Sequence, residues 1–177
     1  MKRNEGMKLH LVDINADLVR TWREAFAPFP EVDIAHADIL SVSHHCLVSP
    51  ANSHGFMDGG IDDQYRLFFG PQIEQTVQAA ILRRRDGMLP VGASLLVPTG
   101  HARVPWLIVA PTMEMPEAVP ASHSGRAMRA ILRLVDQYPE LNADIFCPGL
   151  ATLTGRVPVE LAAEEMAMAY GAWLQRG

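Results

Sequence analysis

The sequence predicts an α/β protein whose sheet is covered by helices on both faces. Three observations carry that expectation. Short apolar runs recur along the chain, amphipathic helical stretches separate most of them, and connections rich in Gly or Pro bound them. At 177 residues the chain suits one domain with a substantial core. The range 1–177 is expected as that single domain, with 1–7 as a disordered N-terminal extension.

Lys8 to Ile14 alternates apolar and polar residues and predicts a strand. Asn15 can cap a helix whose apolar positions are Leu18, Trp22, Ala25 and Phe26. Pro28 and Pro30 end it. A second strand is expected over Val32 to Ile39 and a third over Cys46 to Ser49. A helix beginning near Asp62 or Asp63 is expected to break at Gly70-Pro71, because proline disfavours helix in the residue before it. It resumes with Ile73, Val77, Ala80 and Ile81 on one face. Ala93 to Thr99 and Trp106 to Thr112 predict two more strands, and Met113 to Ser124 a long loop of the kind that often borders a site. The next helix buries Met128, Ile131, Leu132 and Val135. Asp144 to Cys147 is the sixth strand, Pro148 to Pro158 a loop, and Val159 to Leu174 the last helix.

Composition narrows the function. A net charge of −5 argues against charge-driven nucleic-acid binding, although backbone N–H groups can still hold a small anion. Cys46 and Cys147 both fall in apolar strands and are expected as buried thiols of a reduced compartment. Met1 to Gly6 leads into no secretory apolar region, and no apolar run reaches membrane-spanning length. The cytoplasm is the expected location, without a membrane partner. His10, His36, His44, His45, His54, His101 and His123 show no metal-ligand spacing, so no metal site is expected. Neither Gly-x-Gly-x-x-Gly after the first strand nor a Gly-Lys-Ser/Thr loop occurs, which disfavours dinucleotide dehydrogenases and P-loop enzymes. Lys2 and Lys8 are the only lysines, which disfavours a lysine nucleophile.

The most informative stretch runs from Cys46 to Asp62. An apolar strand ends near Asn52, a loop with Gly55, Gly59 and Gly60 follows, and Asp62 stands at the mouth of a helix. Paired glycines permit positive φ and close approach to a ligand, and first-turn N–H groups favour phosphate. An ordinary strand-to-helix turn is the alternative. A second loop, Cys147 to Pro158, combines small residues and hydroxyls that can wrap a diphosphate or can simply serve packing. Both loops leave the carboxyl ends of strands, where ligands bind in such sheets. Asp38 can accept from a ligand amine or merely end its strand.

Together these residues resemble the macro domain family, which binds ADP-ribose. The family's Gly-Asp-Ile, Asn-Ala-Ala-Asn, Gly-Gly-Gly-Val-Asp and late Gly-rich segments correspond to Ala37-Asp38-Ile39, Ser49-Pro50-Ala51-Asn52, Asp58-Gly59-Gly60-Ile61-Asp62 and Gly149 to Gly155. The resemblance implies a three-layer α/β/α sandwich around a mixed six-stranded sheet. It implies that Asp38, with Ile39 beside it, accepts from the adenine amine and that Asn52 bonds the distal ribose. Gly59, Gly60 and Ile61 meet the phosphates and distal ribose through the backbone. Thr152, Leu153, Thr154 and Gly155 close over the diphosphate. Asp62 and Asn52 are the implied catalytic pair in a hydrolase of ADP-ribosyl esters or O-acyl-ADP-ribose. ADP-ribose or an ADP-ribosylated substrate is the implied partner, and no cofactor is implied. A non-catalytic ADP-ribose reader and a degenerate fold used as an interaction module are the alternatives. The chain departs from the family pattern at Ser49, Asp58, Ala151 and Leu153. At Leu153, positive φ would bring strain.

Overall fold

The computed structural model describes residues 2–176, so Met1 and Gly177, the two ends of the expected domain range, lie outside the described residues. The chain runs β1 (Lys8–Asp13), α1 (Ala16–Ala25), β2 (Asp33–His36), α2 (Ile39–Val42), β3 (Cys46–Ser49), α3 (Gly60–Phe69), α4 (Gln72–Leu82), β4 (Leu95–Pro98) and β5 (Trp106–Val109). It continues through α5 (Ser122–Gln137), a 3-10 turn (Pro139–Leu141), β6 (Asp144–Cys147) and α6 (Val159–Leu174). The strands form one six-stranded sheet in the order β2-β1-β6-β3-β5-β4. All neighbours are parallel except β4 and β5, so the sheet is mixed as expected.

Strand periodicity divides the core. Successive side chains face opposite sides of a sheet. Leu9 and Leu11, Cys46 and Val48, and Ile145 and Cys147 pack with Leu18 and Trp22 of α1, Met128 and Ile131 of α5, and Met166 and Trp173 of α6. Val12, Leu47 and Phe146 face the other way, onto Tyr65 and Phe69 of α3 and Ile73, Val77 and Ile81 of α4. These are the three layers. The central strand β3 is buried at every position, which suits its unbroken apolar run.

Local signals account for the element ends. The Asn15 side chain accepts from the N–H groups of Asp17 and Leu18 and so caps α1. Gly70, at φ 96°, separates α3 from α4 where the break was expected. The second strand is shorter than the expected Val32–Ile39. Asp38 accepts from Leu40 N at 3.0 Å and caps the short α2, so Ile39 is helical rather than extended. Helix α5 already begins at Ser122, inside the expected long loop.

Ahead of β1, Asn4 donates its backbone N–H to Asp136 and its side-chain amide to Val135 O of α5. The Arg3 guanidinium lies 5.6 Å from the Trp173 ring centroid. At the amino ends of the strands, His10 bridges Asp33 and Asp144, and His44 also reaches Asp144. The carboxyl ends of β1, β3 and β6 lie together at the opposite edge, and the site is built there. No described helix is long and apolar enough to cross a membrane.

Candidate functional site

Three strand ends set the floor. Asp13 closes β1, Ser49 closes β3 and Cys147 closes β6. Asp13 ties two of the departing segments, accepting from Asn15 N at 2.9 Å and from Gly149 N at 3.0 Å. A cleft in two connected lobes opens above them. One lobe, about 530 Å³, is lined by Val12, Ile14, Asp38, Ile39, Leu40 and Gln64 among others. The second is narrower, about 90 Å³, and is lined by Asn52, Phe56, Asp62, Thr112, Met113 and the late loop among others. Gly60, Ile61 and Leu153 border both lobes, so the two are continuous there.

The early loop is held by its own chain. Thr112 N donates to Ala51 O, Ser53 N to Met113 O and Leu89 N to Ser53 O. Asn52 braces the bend: its Oδ1 accepts from the N–H groups of His54 and Phe56, and its Nδ2 donates to Phe56 O at 2.8 Å. The side chain therefore spends three of its four hydrogen-bonding positions on the loop, leaving one N–H for a ligand. Gly60 starts α3 at φ 60°, a conformation costly for residues with a Cβ. No side chain caps α3, so its first-turn N–H groups keep their partial positive charge beside the cleft.

The late loop faces it. Ser124 Oγ donates to Leu150 O at 2.8 Å, Val157 N to Ala151 O and Val119 N to Gly155 O. A Cβ built on Gly155 would stand 2.7 Å from Ala151 O, so no other residue fits this crossing without backbone movement. Strain falls on Ala151, at φ 65°, and Arg156, at φ 54°, while Leu153 avoids positive φ. Leu153 is 64% exposed and stands at the junction of the lobes rather than filling either. A Cβ on Gly60 would lie 3.7 Å from Thr154 Oγ1, which measures how closely the loops approach.

The charged residues lining the cleft are Asp13, Asp38, Asp58 and Asp62, with no Lys, Arg or His among the described lining residues. An anion here would be held by backbone N–H groups and neutral side-chain donors such as Thr152 and Thr154, not by cations. Asp58 is exposed, and Arg66 of α3 feels its charge. Asp62 is different: it is only 6% exposed, and Ser49 Oγ donates to its Oδ1 at 2.6 Å. Burial pushes the Asp62 carboxyl up to about 7, and the Ser49 hydrogen bond pulls the other way.

Every expected site residue thus lines this cleft. Asp38 and Ile39 line the wide lobe, Asn52, Gly59, Asp62, Thr152, Thr154 and Gly155 the narrow one, and Gly60, Ile61 and Leu153 both. Asp13, Phe56, Thr112 and Met113 also line it, and sequence reasoning passed over them as site residues. Asp13 was legible as the polar end of an alternating strand just before a helix cap. Met113 opens the loop expected to border a site, whereas Thr112 carries no local signal; pairing of β3 with β5 is what brings both there.

Known proteins share this architecture. The family model described as Macro domain matches residues 48–166. An uncharacterized protein of Aquifex aeolicus is 34% identical over 139 residues, covering 77% of this chain and 78% of that protein. Among solved structures, the macrodomain of Mycobacterium tuberculosis DarG aligns with a TM-score of 0.65 at 21% identity, over 78% of this chain and 88% of its own. The Oceanobacillus iheyensis macrodomain with ADP aligns with a TM-score of 0.67 at 19% identity, over 80% of this chain and 75% of its own. A variant of the latter, solved with ADP-ribose, gives 0.68 at 18% identity, over 80% of this chain and 76% of its own. By the sequence match over most of its length, the chain belongs to the macro domain family.

Proposed function

We propose that the cleft binds ADP-ribose along its length and that Asp62 uses a bound water to hydrolyse ADP-ribosyl esters or O-acyl-ADP-ribose. One observation carries the proposal: two backbone-lined loops face each other across a single cleft, with a buried carboxylate in its narrow lobe. In this arrangement adenine takes the wide lobe, where one Asp38 oxygen remains for its amine after the bond to Leu40 N. The diphosphate passes between Gly60-Ile61 and Thr152 to Gly155, held by N–H groups and helix polarity rather than by cations. The distal ribose enters the narrow lobe beside Asn52 and Asp62. A carboxyl near 7 is poised to take a proton from water at neutral pH. The step calls on no metal or cofactor. The ADP and ADP-ribose carried by two O. iheyensis macrodomain structures fit the same choice of ligand.

A second reading, a reader without turnover, draws support from Asn52, whose side chain is largely spent on bracing its own loop. Two experiments separate the readings. Isothermal titration with ADP-ribose tests binding, and release of ADP-ribose from mono-ADP-ribosylated protein or of acid from O-acyl-ADP-ribose tests turnover. Binding with turnover supports the hydrolase, and binding alone supports the reader. No shift in melting temperature at millimolar ADP-ribose would leave the degenerate interaction module in first place. We extend the domain over the whole chain and place it in the cytoplasm, a reducing setting that suits its two buried free thiols.

A further inference from the structure

We propose that Ser49 is the positioning residue for Asp62: its hydroxyl, fixed on the floor of the cleft, holds one carboxylate oxygen and leaves the other free. The inference rests on the hydrolase reading for its catalytic meaning, but the geometry stands alone.

Ser49 is the last residue of β3 and shares a strand face with Leu47, which packs toward α3. Asp62 stands in the first turn of α3 and meets it there. Both side chains are buried, Ser49 at 1% and Asp62 at 6% exposure, and the bond between them is 2.6 Å long. That length is characteristic of a hydroxyl donating to an ionised carboxylate. With Oδ1 engaged by Ser49, Oδ2 takes no hydrogen bond from any other described residue and is the oxygen left for water or substrate.

The cation of the next turn, Arg66, is paired with Asp63 at 2.8 Å rather than with Asp62. Tyr65, within α3, is itself held neutral by burial and by the neighbouring carboxylates Asp62, Asp13 and Asp38. Asp58, in the loop ahead of α3, is another carboxylate lining the same lobe. Ser49 is thus the one described side chain in contact with Asp62 that favours its charged form.

Ser49 also fastens α3 to β3, and a second fastener exists one turn further on, where Tyr65 Oη donates to Val48 O at 2.9 Å. That second bond provides the control. Ser49→Ala, Ser49→Thr and Tyr65→Phe are compared with the unmodified protein. The readouts are the Asp62 titration, followed by carboxyl-carbon NMR, and the pH profile of O-acyl-ADP-ribose hydrolysis. Ser49→Ala is expected to move the Asp62 midpoint up by about one pH unit, and the acid limb of the rate profile with it. Ser49→Thr keeps the hydroxyl and restores both. Tyr65→Phe lowers the melting temperature but leaves the midpoint in place. An unmoved midpoint in Ser49→Ala, or an equal movement in Tyr65→Phe, overturns the inference. Absence of hydrolysis in every protein overturns the hydrolase reading instead, since the NMR titration still reports on Ser49 without it.

Discussion

Each lobe of the cleft presents two aspartates, and two of the four, Asp38 and Asp62, live in sharply different surroundings. Asp38 is exposed in the wide, largely apolar lobe, where it caps α2. Asp62 is buried in the narrow lobe and touches a single donor. An exposed carboxylate carries its charge at little cost and suits recognition. A buried one is pushed toward neutral pH, here to about 7, and suits proton transfer. Burial rather than residue type separates the two carboxylates, and under the proposed function Asp38 serves recognition and Asp62 chemistry.

The largest expected effect is on turnover. Asp62→Asn should lower hydrolysis of O-acyl-ADP-ribose by at least about 100-fold while leaving calorimetric affinity for ADP-ribose within a few-fold. Retained turnover would remove the contrast between the lobes.

The next effect is on stability and follows from linkage. The folded carboxyl, at about 7, lies above its unfolded value of 3.8, so between those values the folded state holds the extra proton. Asp62 therefore costs the fold nothing at the acid end of that window. Its cost grows as pH rises and is fully present above about 7. Asp62→Asn should stabilise the protein at pH 8 by up to about 4 kcal/mol, and the gain should vanish near pH 4. Urea denaturation at the two pH values checks this. An equal gain at both would mean that Asp62 ionises as an ordinary surface carboxylate.

Smaller effects belong to the wide lobe and the late loop. Asp38→Ala should weaken ADP-ribose about 10-fold, or about 1.4 kcal/mol, without changing affinity for ribose 5-phosphate. A parallel loss for both ligands would place Asp38 away from the base. Ala151→Gly should relieve the strain at φ 65° and raise stability by about 1 kcal/mol or less, read as a small gain in melting temperature.

Much of this was legible in the sequence because it is local. The Asn15 cap, the break at Gly70-Pro71 and the last helix from Val159 to Leu174 each follow from neighbouring residues. The strand order does not. Nothing near Asp144 says that the last strand inserts between β1 and β3, because parallel pairing is decided by distant crossovers. The short α2 was missed for a different reason: an aspartate that looks like a strand end turns into a cap once its side chain bonds two residues ahead. The glycine motifs lie on the two loops that border the cleft. The Ser49 contact was visible only as a departure from a family pattern, since its meaning depends on period-2 geometry facing a helix that begins eleven residues later. The expected burden on Leu153 falls instead on Arg156 and on Ala151, whose carbonyl and Cβ crowd Gly155.

The most direct test is a crystal structure of the protein with ADP-ribose. It should show adenine against Asp38, the diphosphate between Gly60-Ile61 and Thr152 to Gly155, and the distal ribose within hydrogen-bond reach of Asp62. Adenine in the narrow lobe, or a diphosphate that avoids both loops, would contradict the account.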